Sequence, residues 1–97
     1  MNMNSNDDIT IQHNEAGKRF ETRVGGQLAF VEYQMSGKTT IAFTHTEVPQ
    51  GFEGRGIGSK LVHAALEHAR GRSLKVVPLC PFVAAYVQRH AEYQDLS

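Results

Sequence analysis

The stretch VPQGFEGRGIGSKLVHAALEHAR, residues 48–70, decides how this chain is read. It opens on Val48-Pro49. Proline lacks an amide donor and restricts the residue before it, so any strand running into this point ends here. Glycines follow at 51, 54, 56 and 58. From Ile57 the pattern becomes helical: Ile57, Leu61, Ala65 and Ala69 recur at every fourth position, with Val62 and Leu66 beside them. Ser59, Lys60, His63, Glu67 and Arg70 fall largely on the other side, and Gly71 supplies the stop. The stretch therefore predicts a strand end, a glycine-rich loop and an amphipathic helix, in that order.

Working backwards from it, the chain reads as strands. ITIQHN (9–14) alternates, with Ile9 and Ile11 on one face. EAGK is a turn, RFETRV (19–24) is extended again, and Gly25-Gly26 is a second break. QLAFVEYQM (27–35) sets Ala29, Val31, Tyr33 and Met35 opposite Leu28 and Phe30. After the SGK turn, TTIAFTHTEV (39–48) is rich in β-branched residues. Short glycine turns predict an antiparallel meander of these four segments. Working forwards, SLKVVPL (73–79) reads as a fifth strand ending near Pro78. Pro81 suits a first helical turn, and FVAAYVQRH (82–90) gives a second helix with Phe82, Ala85 and Tyr86 at helical spacing. The order is β-β-β-β-α-β-α, a mixed α/β sheet. The unit 39–78 is a crossover that makes its two strands parallel. Residues 1–8 are polar and expected to fray; residues 9–97 are expected to form a single domain.

Composition narrows the function. With 97 residues, the chain suits one small domain. Burial at this size reaches only about 60–65% of the unfolded surface, so a bound cofactor or partner chain would add stability. Ten basic and ten acidic residues cancel, which leaves no basic surplus for a nucleic acid backbone. The single cysteine excludes an intrachain disulfide, the opening MNMNSNDD lacks a signal-peptide pattern, and no apolar run is long enough to span a membrane. The expectation is a soluble cytoplasmic protein, a monomer or weak homodimer.

The glycine loop carries the chemistry. Glycines at alternate positions let backbone amides approach a ligand closely, and a helix N-terminus adds unpaired amides and a positive dipole. Together these suit a phosphate. Arg55 adds charge, and Ser59 and Lys60 add donors. The plain alternative is a flexible surface loop. Two phosphate motifs fit poorly: Ile57 stands where a Walker loop needs lysine, and Gly54-x-Gly56-x-Gly58 departs from the dinucleotide fingerprint.

The stretch 48–70 resembles the Gln/Arg-x-x-Gly-x-Gly/Ala motif of the GNAT superfamily of N-acetyltransferases, with Gly56-Ile57-Gly58 on its glycines. PLCPF followed by a helix and EYQDL resembles, more narrowly, the small single-domain YjdJ-like branch. The resemblance implies a sheet that splays between its fourth and fifth strands, with acetyl-CoA in the cleft. It implies that the pyrophosphate rests on the amides of Gly54, Arg55, Gly56, Ile57, Gly58 and Ser59. It also implies that backbone from Thr46 to Val48 pairs with the pantetheine arm. Two departures stand out. Glu53 occupies the usual Gln/Arg position, with Arg55 as a possible substitute. The helical pair of larger members, between the first two strands, is missing.

Cys80 lies in VPLCPF (77–82), between Pro78 and Pro81. A free cysteine is often a small buried hydrophobe. Yet a thiol just before a helix gains thiolate character, and the resemblance puts a thioester nearby, so Cys80 is also a candidate nucleophile. Of the five histidines, most read as surface residues. HAALEH is one residue too long for a zinc-protease motif, and no residues have metal-ligand spacing. His45, at the end of the fourth strand, is the candidate general base, with Glu47 as its competitor; the alternative is that His45 and Thr46 only cap the strand. Tyr86 reads as core, and Tyr93 and Asp95 as structural residues of a tail folded back on the sheet. The function expected from the resemblance is transfer of acetyl from acetyl-CoA to a small-molecule or peptide amine, directly or through Cys80. The alternative is a CoA or acyl-CoA binding module or sensor without efficient transfer.

Overall fold

The structure, a computed structural model, describes residues 9–97. The fraying expected of residues 1–8 lies outside the described residues. Five strands form one sheet in the order β1-β2-β3-β4-β5: β1 Gln12–Asn14, β2 Arg19–Val24, β3 Gln27–Ser36, β4 Thr40–Glu47 and β5 Lys75–Pro78. The first four pair antiparallel, and β5 pairs parallel to β4. Helix α1, Ile57–Gly71, makes the crossover, and α2, Pro81–Arg89, follows β5. This is the order and the sheet that the sequence predicts.

Alternation explains which face is covered. Phe20, Ala29, Val31, Tyr33, Ile41, Phe43 and Val76 point one way and are buried against Leu61, Val62, Ala65 and Leu66 of α1 and Val83 and Val87 of α2. Each large apolar side chain enclosed this way contributes about 1.5–3 kcal/mol. The opposite face carries Arg19, Glu21, Arg23, Leu28, Phe30, Glu32, Ala42 and Val77, none of them buried. Among the described residues, no helix covers that face, and no helix is long and apolar enough to cross a membrane.

The sheet changes at the end of β4. Parallel pairing with β5 runs from Thr40↔Lys75 to Phe43↔Pro78 and stops there. Pro78 has no amide to give. The β3–β4 register jumps from Tyr33↔Phe43 to Glu32↔His45, so Thr44 is an extra bulged residue. The Cys80 amide makes a last bond to the Phe43 carbonyl at 2.9 Å. β4 then continues to Glu47 with β3 on one side and, among the described residues, no strand on the other.

Some boundaries differ from expectation. The first strand begins at Gln12, not Ile9; Ile9 and Ile11 still pack on the core. The fifth strand begins at Lys75, because Ser73 adopts φ 54° to end the helix turn. The tail forms a 3-10 helix, Ala91–Leu96, and docks on the helices instead of the sheet. Buried Tyr93 donates its hydroxyl hydrogen to Glu67 and meets His63 Nδ1 at 3.0 Å, while Arg70 of α1 pairs with Asp95 at 3.3 Å.

Candidate active site

A cavity of about 340 Å³ opens where β4 outruns β5. Thr46 and Val48 form one wall, and Gly54, Gly56, Ile57, Gly58 and Ser59 form the other. Two glycines explain the local fold. Gly56 caps α1 at φ 78°, a left-handed conformation that L side chains disfavour. It makes no side-chain cap bond, and the first turn of α1 holds no acidic residue. Among the described residues no side chain caps the first amides of α1, which are available to an external anion. Gly58 is required by packing: a Cβ there would stand 2.9 Å from Cζ of Phe82. The Phe82 ring seats on Gly58 and closes the cavity from the α2 side, while remaining 43% exposed.

Not every residue expected at the cofactor lines this cavity. Arg55 turns its guanidinium over the Phe52 ring, 5.1 Å from the centroid, and faces a neighbouring cavity beside Val24 and Leu28. It does not take the place of the missing Gln/Arg side chain in the cavity. Lys60 is half-buried on α1 and is also absent from the wall. Glu53 lines the cavity and accepts the Gly51 amide at 2.9 Å, so its carboxylate shapes the loop.

Cys80 is the N-cap of α2 and is 4% exposed. Its sulfur lies 3.4 Å from Thr46 Oγ1. The register explains that contact. Thr46 pairs with Val31 on the covered face, so its neighbours His45 and Glu47 project from the open face. There His45 Nε2 and Glu47 Oε1 are 3.0 Å apart, with 55% and 60% of their side chains exposed. Phe30 lies beside them, its ring centroid 5.9 Å from that of His45. The structure thus brings Cys80 together with Thr46 and His45 together with Glu47, and separates the pairs by the thickness of the sheet. Tyr86 serves the tail: it stacks on His90 at 3.9 Å, and burial, followed by the Glu92 and Glu67 carboxylates, pushes its phenol up. Among the described residues, no group of three His, Cys, Asp or Glu side chains is placed to hold a metal.

Sequence reasoning missed the Thr46 hydroxyl, Phe52 and Phe82 as parts of this region. Phe82 carried a signal, a large apolar residue in the first turn of a helix beside the candidate thiol. The Thr46 contact depends on the bulge at Thr44, which has no glycine or proline to announce it.

The geometry defines a class: a mixed sheet parted between two parallel strands, with an anion-receptive glycine loop at the parting. The family model for the GCN5-related N-acetyl-transferase matches residues 19–96. The chain belongs to that family. It is similar to Protein NATD1 of Xenopus tropicalis, 32% identical over 90 residues, covering 91% of this chain and 83% of the relative. Protein NATD1 of Homo sapiens is 32% identical over 84 residues, covering 84% of this chain and 74% of the relative. The NMR solution structure of a GCN5-like putative N-acetyltransferase from Staphylococcus aureus matches with a TM-score of 0.71 and 30% identity, over 90% of this chain and 85% of that one.

Proposed function

We propose that this chain, as a small YjdJ-like member of its family, transfers acetyl from acetyl-CoA to an amine on a small molecule or peptide. One observation carries the reading: at residues 45–47, paired with β3 on one side, β4 has no strand partner among the described residues on its other side, directly beside the glycine-loop cavity. An extended arm can pair there as an added strand while its phosphates meet the amides of Gly54 to Ser59. The residues present fit the cofactor, because the Gly56 cap leaves those amides free. Acetyl-CoA, when bound, supplies an activated thioester. The exposed His45–Glu47 pair is positioned to take a proton from an acceptor ammonium arriving at the open face.

The Thr46–Cys80 contact supports a second route. In it Cys80 takes the acetyl group onto its sulfur, the thiol proton leaves with the released CoA thiol, and the amine then takes the acetyl group and restores the cysteine. A third reading is a CoA-binding module that transfers nothing efficiently.

The test is intact-protein mass spectrometry after incubation with acetyl-CoA, with Cys80→Ala alongside and a panel of amines assayed for acetylation. Direct transfer predicts acetylated amine and no protein adduct. The cysteine route predicts an adduct on Cys80, lost in the variant and formed faster than on a free-thiol control. Bound acetyl-CoA with neither product leaves the binding module. Gly56→Glu sets a carboxylate at the loop and should remove acetyl-CoA binding in calorimetry. Unchanged affinity would remove the pyrophosphate assignment.

A further inference from the structure

At the other end of α1 the chain builds a second cavity that this proposed function does not use. It measures about 650 Å³ and lies between the β1–β2 turn, the β3–β4 turn and the last turn of α1. Lys18, Lys38 and Arg72 stand around it, one from each of these segments. Among the described residues none of the three forms an ion pair, whereas Arg19 and Arg70 do. Among the described residues, Glu15 is the one acidic residue on the lining.

The floor is lined by rings and is partly apolar. His13 stacks on Phe20 at 4.1 Å with an 8° interplanar angle, and His68 meets His13 edge-on at 4.5 Å. His13 Nε2 and the Tyr33 hydroxyl are 2.6 Å apart. Ile41 and Leu74 complete the apolar part. Unpaired cations over a ring-lined, apolar floor suit a ligand with a negative head and a flat body. The C-terminal end of α1 opposes an anion through its dipole, but its carbonyls at His68, Ala69 and Arg70 are already bonded by the amides of Arg72, Leu74 and Ser73. Lys18 also holds φ 56°, an unusual conformation for a side chain of its size, at the cavity's rim.

We propose that this cavity is a binding site for a small organic anion, with Arg72, Lys38 and Lys18 holding its carboxylate and the His13–Tyr33–His68 floor receiving its flat body. Burial, with Arg72 acting in the same direction and Glu15 against it, holds both imidazoles below their ordinary value. Both shifts favour the neutral rings. A bound carboxylate favours their protonated forms, so affinity should rise as pH falls toward the lowered imidazole values.

The probe is benzoate, a ring with one carboxylate, titrated into the full chain and followed by backbone amide NMR. The proposal expects saturable shifts around His13, Lys38 and His68. Arg72→Ala should weaken binding about tenfold, and Lys38→Ala should weaken it as well. Benzamide, of the same shape without the charge, should bind about tenfold more weakly than benzoate, and benzoate affinity should rise as pH falls. Both substituted side chains are exposed, so folding should survive. Absence of saturation, equal affinity for benzamide, indifference to Arg72→Ala, or shifts confined to the glycine loop would each overturn the site.

Discussion

On the covered face of β4, Ile41 and Phe43 are enclosed to 1% and 0% exposure, and Thr46 turns its hydroxyl to a nearly enclosed thiol. On the open face of the same strand, His45 and Glu47 keep more than half of each side chain in solvent. One strand thus carries the His45–Glu47 pair of the direct route on its open face and, on its covered face, the hydroxyl that contacts Cys80. The bulge at Thr44 sets this arrangement. Without the extra residue, strict alternation from Phe43 would turn His45 toward the helices and Thr46 to the open face. Packing holds the covered face, and the open face leaves its side chains accessible to a partner molecule.

The largest effect that tests this comparison is on stability. Phe43→Ala empties a fully enclosed site and should cost about 3–5 kcal/mol in denaturant unfolding. Phe30→Ala, on the open face of the neighbouring strand, should cost about 1 kcal/mol. Equal losses would mean that the open face is packed against something in solution.

Next in size is the effect on catalysis. Glu47→Gln should leave the melting temperature within about a degree of wild type and, if the open face holds the base, lower kcat about a hundredfold or more. Cys80→Ala should do the reverse under direct transfer: a stability loss of about 1–2 kcal/mol from a small cavity, with kcat nearly kept. A collapse of kcat in Cys80→Ala with Glu47→Gln fully active would move the chemistry to the covered face.

Much of this was legible in the sequence because it rests on local rules. Gly25-Gly26 and Gly37 mark the hairpin turns, Pro49 ends β4, the four-residue apolar spacing from Ile57 to Ala69 sets α1, and Pro81 opens α2. The site's backbone was legible for the same reason: glycines before a helix are a local pattern. What was not legible depends on long-range register. The bulge at Thr44 decides which side chains meet Cys80, and nothing in TTIAFTHTEV marks it. Arg55 reads as a phosphate ligand by position, but its guanidinium lies over the Phe52 ring and does not line the glycine-loop cavity. Tyr93 finds its place because Glu67, far earlier in the chain, accepts its hydroxyl hydrogen on the outer side of α1, where His63 Nδ1 contacts the same oxygen. His68 did carry a signal, since it follows Leu61 and Ala65 along one helical stripe and so falls beside the core.

The smallest predicted effect concerns His68 and its partner. Both imidazoles in the cavity at the end of α1 have pKa values lowered chiefly by burial. Their folded-state values lie below their unfolded ones, so between the two the unfolded chain binds more protons. The stability they contribute is present above about pH 6.5 and is lost as pH falls through the folded values. Arg72, Lys18 and Lys38 add repulsion once a ring is charged, and Glu15 opposes it. Carboxylates elsewhere, such as Asp95 paired with Arg70, also lose their contribution in acid, so the raw slope mixes causes. Comparing wild type with His68→Phe separates them, because phenylalanine keeps an edge-on ring against His13 and cannot take a proton. The melting temperature of wild type should fall by about a few degrees more than that of the variant between pH 7 and pH 5. Parallel curves would show that the ring is already solvated, and would weaken the cavity as a place where a carboxylate and an imidazolium meet.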